Sequence, residues 1–187
     1  MAKIITAAEA ADLIRDGMTL GVSGFGAFAS PDCVMEAMSR KFKEQNTPRD
    51  LTIVSGVAPG DFVEDGCGLS KIKDEGIIRT LIASHLRMSP AIGRACSENK
   101  IAAFSMPLGV YGQLMNAIGS KRPGIITHVG LNTYADPRQD GCKMNALAPE
   151  GSSHKEPLSG IRIHRAHGRF FGAAMRSRLL LRSACIG

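Results

Sequence analysis

Residues 16–31 read Asp-Gly-Met-Thr-Leu-Gly-Val-Ser-Gly-Phe-Gly-Ala-Phe-Ala-Ser-Pro, and this stretch decides the fold. The opening Asp-Gly pair ends a helix, and a short apolar strand over residues 18–23 follows it. The glycine-rich loop Ser23-Gly24-Phe25-Gly26 then leads into a second helix, which Ser30 and Pro31 are expected to cap. A strand, a glycine loop and a helix N-terminus in this order bring backbone N–H groups close to a ligand oxygen, such as that of a phosphate or a carbonyl.

Helical and strand patterns alternate along the first 145 residues. Thr6 and Glu9 have the spacing of a capping box, which predicts a helix to about Arg15. The remaining segments follow from apolar spacing and from Ser-Pro or glycine signals at their ends. They are a helix after Pro31 with apolar positions Val34, Met38 and Phe42, strands over 51–54, 77–83, 101–105 and 125–128, and helices over 89–99 and 108–118. This alternation predicts an α/β fold in which helices cover both faces of a parallel sheet, giving three layers.

The composition is that of an ordinary globular domain. The chain has 187 residues, of which 44% are hydrophobic and 21% charged, and no apolar run is long enough to span a membrane. Its five cysteines are dispersed and form no Cys-x-x-Cys pair, which favours free thiols in a reducing compartment and argues against a metal site. Because the first residues also lack a signal-peptide pattern, we expect a cytoplasmic protein that binds no membrane.

The net charge of +6 comes entirely from residues 151–187, since acidic and basic residues balance over 1–150. The alternating pattern also stops at about Asn145, which divides the chain into a domain over 1–145 and a basic tail over 146–187. Three interpretations of the tail remain open: an arm for nucleic acid, a docking segment, or a sequence translated out of frame. The absence of helical or strand periodicity favours a disordered or out-of-frame tail, with no specific nucleic-acid partner.

Several motifs together resemble the first (alpha) half of family I CoA-transferases, of the acetate, propionate and 3-oxoacid type. The stretch 16–31 is similar to the signature of that half, except for Gly21 and Ala29. Further similar segments follow in the same order over residues 4–145. They are Glu75-Gly-Ile-Ile-Arg79, Ser89-Pro-Ala-Ile-Gly93, Glu98-Asn-Lys100, Met106-Pro-Leu-Gly-Val110 and the run from Lys121 to Arg138.

The resemblance implies an enzyme that moves CoA between short-chain acyl thioesters and carboxylates, as in short-chain fatty acid and ketone body metabolism. Members of this family have two related α/β halves, and a glutamate of the second half forms a glutamyl-CoA thioester. The reaction implied needs no metal or other cofactor, because the CoA thioester is itself the substrate. The resemblance therefore implies a second-half (beta) partner, an oligomeric enzyme, and no activity of this chain alone.

The candidate substrate-binding residues are Ser23, Gly24, Phe25 and Gly26 in the first loop, with Leu108 and Gly109 in the Met-Pro-Leu-Gly segment. Leu108 stands where the resemblance implies a glutamine, and leucine cannot donate a hydrogen bond. No residue is assigned as catalytic. Glu98 lies in a Ser-Glu-Asn sequence similar to that around the family's nucleophile, but a predicted helix C-terminus does not favour a reactive carboxylate there.

Two other interpretations of the glycine loop compete with this one. The spacing Gly24-x-Gly26-x-x-Ala29 satisfies a dinucleotide-binding fingerprint, yet Pro31 would then fall inside the helix that follows the fingerprint. The acidic residue that binds the ribose at the end of the second strand is also missing, since Val54 is followed by Ser55-Gly56-Val57. The glycines could also serve only a tight turn. For the chain as a whole, the principal alternative function is a non-catalytic acyl-CoA-binding or subunit-docking module.

Overall fold

The structure is a computed structural model that describes residues 4–122, 124–136 and 139–148, together with the backbone of 161–166, 170–175 and 179–181. Its central layer is a sheet of five strands, β1 (Thr19–Val22), β2 (Leu51–Ser55), β3 (Ile78–Ala83), β4 (Ala102–Ser105) and, near the end of the chain, β8 (Leu179–Leu181). All neighbours in this sheet are parallel, and the strand order is β4-β3-β2-β1-β8. The four strands predicted between residues 18 and 105 are therefore confirmed, each within one residue at either end.

Helices cover both faces of this sheet, as the alternating pattern predicts. The helices are α1 (Ala7–Asp12), α2 (Asp32–Gln45), α3 (Pro90–Ser97) and α4 (Leu108–Gly119), with a 3-10 turn at Gly68–Ile72. One apolar cluster joins α1, α2 and α3 to β1–β4 through residues such as Met35, Leu81 and Ile92. A second cluster on the opposite face joins α4 to Val54 and Ile82. The predicted three-layer α/β arrangement is confirmed.

The outer edge of β4 is covered by the chain segment over residues 142–148. The amide of Ser105 donates to the carbonyl of Cys142 at 2.7 Å, and the amide of Met144 donates to the carbonyl of Ala103 at 2.9 Å. Ala148 at the end of this segment is buried. A covered edge has no free backbone groups with which another strand could pair.

The prediction that residues 125–128 continue the parallel pattern is wrong. Residues Ile125–Thr127 form β5, which lies in a separate three-stranded sheet of order β5-β7-β6, with β6 at Ile161–Ala166 and β7 at Phe170–Met175. The pairing of β5 with β7 is antiparallel. Because segment 142–148 already occupies the edge of β4, β5 has no place beside it.

The tail contains three strands that its sequence pattern did not predict. Strands β6 and β7 form an antiparallel pair, and β8 pairs in parallel with β1 through Leu20 and Leu179. The other residues of 149–187 lie outside the described part of the chain, so the proposed boundary at 145 and the out-of-frame origin remain predictions.

The helix after the glycine loop begins one residue later than the Ser-Pro signal suggests. Asp32 is its first residue, Pro31 occupies the N-cap position, and no side chain caps the helix. The expectation that Ser30 caps it is wrong, because the Ser30 hydroxyl is buried and has no hydrogen-bond partner among the described residues. The capping box of Thr6 and Glu9 is confirmed, although α1 ends at Asp12 rather than near Arg15.

Candidate functional site

The candidate site lies at the carboxyl edge of the parallel sheet, where the loops after β1, β2, β3 and β4 meet. In an open α/β sheet, ligands bind in the crevice outside the carboxyl ends of the strands. The parts of these loops nearest the strand ends are residues 23–30, 56–60, 84–89 and 106–107. Gly60 donates its amide to the carbonyl of Gly26 at 3.0 Å, and Ala58 donates its amide to the carbonyl of His85 at 3.0 Å. These bonds hold the first three loops together.

The glycine loop is a tight turn that presents two aromatic rings to solvent. Phe25 and Phe28 exchange backbone hydrogen bonds of 3.0 and 3.1 Å across the intervening Gly26 and Ala27. Gly26 has a φ of 60°, which glycine adopts without steric cost. Directly opposed residues of such a pair project to the same side, and Phe25 and Phe28 are 60% and 79% exposed. The loop therefore carries an apolar surface at the edge of the sheet.

The backbone N–H groups of this loop are less available than the sequence suggests. The amide of Phe25 is bonded to Phe28, and the amide of Gly26 donates to the Met88 sulfur at 3.2 Å. The expectation that the loop offers bare N–H groups is therefore wrong for these two residues. Met88 is buried and its thioether is a weak acceptor, so this contact mainly fixes the position of the loop.

Gly24 lies where the loop approaches the segment after β2 most closely. A Cβ atom at this position would be 3.0 Å from the Cβ of Pro59 and 3.3 Å from the Cα of Ser30. Its φ of 133° is also outside the range that residues with a side chain adopt. The glycine is thus required by local structure, and that requirement alone does not distinguish a binding loop from a tight turn.

The structure brings Leu108 to the same corner as the glycine loop. A Cβ atom built on Gly56 would lie 3.1 Å from Leu108 Cδ1 and 3.3 Å from the ring of Tyr111. The register of β1 and β2 pairs Val22 with Ser55, which places Ser23 beside Gly56. Leu108, at the first position of α4, therefore lies over the end of β2 next to the glycine loop, and half of its side chain is exposed.

Gly109 also belongs to the first turn of α4 and is exposed. A Cβ atom at this position would meet nothing within 4 Å. The structure therefore places Gly109 near Leu108 but shows no contact between Gly109 and the glycine loop.

Comparisons with known proteins decide the family of this chain. The sequence model of the Coenzyme A transferase family matches residues 4–162. The chain belongs to the Coenzyme A transferase family.

Three relatives show which part of a CoA-transferase this chain resembles. A caffeate CoA-transferase of Acetobacterium woodii is 41% identical over 80% of this chain and 28% of its own length. The acetate CoA-transferase YdiF of Escherichia coli K12 is 35% identical over 79% of this chain and 28% of its own length. The acetate CoA-transferase subunit alpha of Escherichia coli K12 is 28% identical over 72% of this chain and 57% of its own length.

Solved structures agree with this assignment. The crystal structure of YdiF from Escherichia coli O157:H7 matches with a TM-score of 0.74 at 32% identity, covering 92% of this chain and 32% of that protein. Glutaconate CoA-transferase of Acidaminococcus fermentans has a TM-score of 0.63 at 13% identity, which shows likeness of fold alone. The chain thus spans about a quarter to a third of its long CoA-transferase relatives and about half of an alpha subunit.

Glu98 lies far from the candidate site of this CoA-transferase chain. It is the C-cap residue of α3 and forms an ion pair with Lys100 at 3.0 Å. The hydrogen bond between the two side chains, together with the negative charge of Glu98, raises the pKa of Lys100. Both residues line an open cleft of about 330 Å³ beside Gly76 and Ile101, at the amino ends of β3 and β4. A carboxylate at the amino edge of the sheet cannot contact a ligand at the carboxyl edge.

Three positions of the site are not indicated by the sequence motifs. Gly56 follows β2, Ser84 follows β3, and Tyr111 lies one turn into α4, where partial burial raises its pKa. Gly56 could have been recognised as a glycine directly after a predicted strand, but no sequence signal indicates that Leu108 packs over it.

Within the described residues, no three His, Cys, Asp or Glu side chains form a group that could hold a metal ion.

No helix among the described residues is both long and apolar enough to cross a bilayer.

Proposed function

We propose that this chain supplies one wall of an active site that moves CoA between an acyl thioester and a carboxylate, and that the nucleophilic glutamate comes from a second half. The parts of the four loops nearest the strand ends, residues 23–30, 56–60, 84–89 and 106–107, contain no Asp or Glu. Further along the connection after β2, Asp61 accepts a hydrogen bond from the amide of Val63, and Glu64 forms an ion pair with Arg94 of α3. The absence of a carboxylate from the strand ends carries the proposal, because the reaction requires a carboxylate nucleophile.

The exposed apolar side chains around the site support a partner half. Phe62 and Val63 lie further along the connection after β2, and they are 57% and 55% exposed. Together with Phe25 and Phe28 they place large apolar side chains at the carboxyl edge of the sheet. An apolar surface of this kind marks an interaction site, and covering it would also exclude water from the reactive thioester.

The names of the relatives are consistent with such a partner. Several of them are alpha subunits, and the two long relatives extend well beyond the part that this chain matches. We infer that the second half is either a separate beta subunit or a following domain. The isolated chain is then expected to transfer no CoA.

Two experiments test this function. The full chain is co-expressed with the part of Escherichia coli YdiF that it does not match, the complex is purified, and transfer of CoA from acetyl-CoA to propionate is measured. We expect turnover by the complex and none by the chain alone. An assembled complex without turnover would contradict the proposal and would favour the docking-module alternative.

The second experiment locates the nucleophile. Hydroxylamine converts a glutamyl-CoA thioester to a hydroxamate and releases CoA, and mass spectrometry of the peptides then identifies the modified residue. We expect the hydroxamate on the second half, and we expect Glu98→Gln to leave turnover unchanged. A hydroxamate on Glu98 would show that the assignment of the nucleophile is wrong.

A further inference from the structure

Gly56 and Ser84 lie side by side at the carboxyl ends of β2 and β3. The register of these strands pairs Val54 with Ile82, two residues earlier in each strand. The amide of Ser84 donates to the carbonyl of Gly56 at 3.0 Å, which continues the same ladder beyond the strand ends. Neighbouring strands are about 4.8 Å apart, so the two residues are lateral neighbours.

Both positions face helix α4. Val54 and Ile82 belong to the apolar cluster that includes Val110 of this helix. Because successive residues of a strand alternate between faces, Gly56 and Ser84 face the same side as Val54 and Ile82. The short distances from a Cβ on Gly56 to Leu108 and Tyr111 agree with this direction.

The hydroxyl of Ser84 is buried and has no hydrogen-bond partner among the described residues. A buried polar group without a partner is destabilising, and each such group in a native structure requires an explanation. The neighbouring backbone offers one, since helix α4 begins at Leu108 with Pro107 as an N-cap residue that has no capping side chain. Its first N–H groups and the positive end of its dipole therefore lie at the same corner.

We propose that the Ser84 hydroxyl and the N-terminus of α4 bind the carbonyl oxygen of the acyl thioester. A hydroxyl donor and the positive end of a helix both favour an oxygen that carries partial negative charge and gains more during acyl transfer. Leu108 and Tyr111 cover Gly56 closely, and a rotation of the half-exposed Leu108 side chain would both admit the acyl group and let leucine pack against its apolar carbons. This inference rests on the proposed function and adds a specific binding residue to it.

The test compares Ser84→Ala with Ser97→Ala in the complex of the full chain with its second half. Ser97 is the control, because it is exposed at the end of α3, next to Glu98 at the opposite edge of the sheet, where its hydroxyl donates to the carbonyl of Gly93. We expect Ser84→Ala to lower kcat/KM for acetyl-CoA about tenfold or more, and Ser97→Ala to leave it unchanged. The dissociation constant of free CoA, which has no acyl carbonyl, should stay the same in both variants.

Urea unfolding of the two variants separates binding from folding. Removing an unpartnered buried hydroxyl should leave the midpoint of unfolding the same or raise it, so a loss of activity in Ser84→Ala cannot come from unfolding. Unchanged kcat/KM in Ser84→Ala, with an active wild-type complex, would overturn this inference alone. An assembled wild-type complex that transfers no CoA would overturn the proposed function and this inference together.

Discussion

The side-chain amide of Asn145 donates to the backbone carbonyl of Ile101 at 2.7 Å, and a second bond of 2.7 Å reaches the carbonyl of Cys96. Its carbonyl oxygen accepts from the amides of Ala103 at 3.3 Å and Ala148 at 3.1 Å. An asparagine side chain can make four hydrogen bonds of this kind, and Asn145 makes all four. One residue thus joins the end of α3, the start of β4 and the segment that covers the edge of β4.

Replacing Asn145 with alanine should destabilise the domain by about 2–4 kcal/mol, because it leaves several part-buried backbone groups without partners. Urea unfolding of the full chain measures this change. Asn116→Ala is the matched control, since Asn116 is exposed on α4, and its replacement should change the free energy of unfolding by less than about 0.5 kcal/mol. Equal unfolding midpoints for the two variants would show that segment 142–148 does not stabilise the sheet.

Gly24→Ala and Gly26→Ala should differ in stability although the two glycines are neighbours in one loop. Gly24 has a φ of 133° and lies close to Pro59, whereas Gly26 has a φ of 60° and a Cβ there would meet nothing nearer than 4.0 Å. Alanine adopts the second conformation at a cost of about 1–2 kcal/mol, but the first is accessible essentially to glycine alone. Gly24→Ala should therefore lower the thermal midpoint more than Gly26→Ala, and the reverse order would contradict the loop conformation described here.

Two buried thiols should make the domain less stable as the pH becomes alkaline. Burial raises the pKa of Cys96 from 9.0 to about 11 and that of Cys142 from 9.0 to about 12. The unfolded chain loses these protons above pH 9 while the folded chain retains them. The free energy of unfolding should therefore be unaffected by these thiols below pH 9 and should fall as the pH rises toward 11.

The contribution of the thiols is measured by the pH slope of stability between pH 8.5 and 10.5. The double variant Cys96→Ala/Cys142→Ala should have a shallower slope than the wild type, even though its overall stability is lower. Cys33→Ala is the control, since Cys33 is exposed, and its slope should match that of the wild type. The same slope in all three proteins would mean that the buried thiols do not contribute.

The sequence predicts the parallel sheet well because its signals are local. Short apolar runs and glycine or Ser-Pro boundaries set the limits of β1–β4, and every residue of these strands except Arg79 is buried. The placement of β5 depends instead on which edge of the sheet is free. Asn145 and Met144 occupy that edge, and they lie some 20 residues further along the chain, so no local pattern reveals the competition.

The candidate site is predictable only in part for the same reason. The glycine loop is visible because Gly24 and Gly26 have local conformations that other residues avoid. The contact of Leu108 with Gly56 and the lateral pairing of Gly56 with Ser84 depend on how separate loops meet. Strand order and register determine these relationships, and neither can be read from the spacing of residues in one segment.

The pairing of β8 with β1 leads to the last prediction. Leu180 is the partner of Gly21, so a chain ending at Ala148 would lose the strand that covers this edge of β1. We expect hydrogen exchange to become faster at the β1 amides that face β8, while the amides between β2 and β3 keep their protection. The measurement is hydrogen exchange by NMR on the full chain and on the shortened chain under the same conditions. Unchanged protection along β1 would contradict the pairing, and it would favour the prediction that the residues after 145 are out of frame and stabilise nothing.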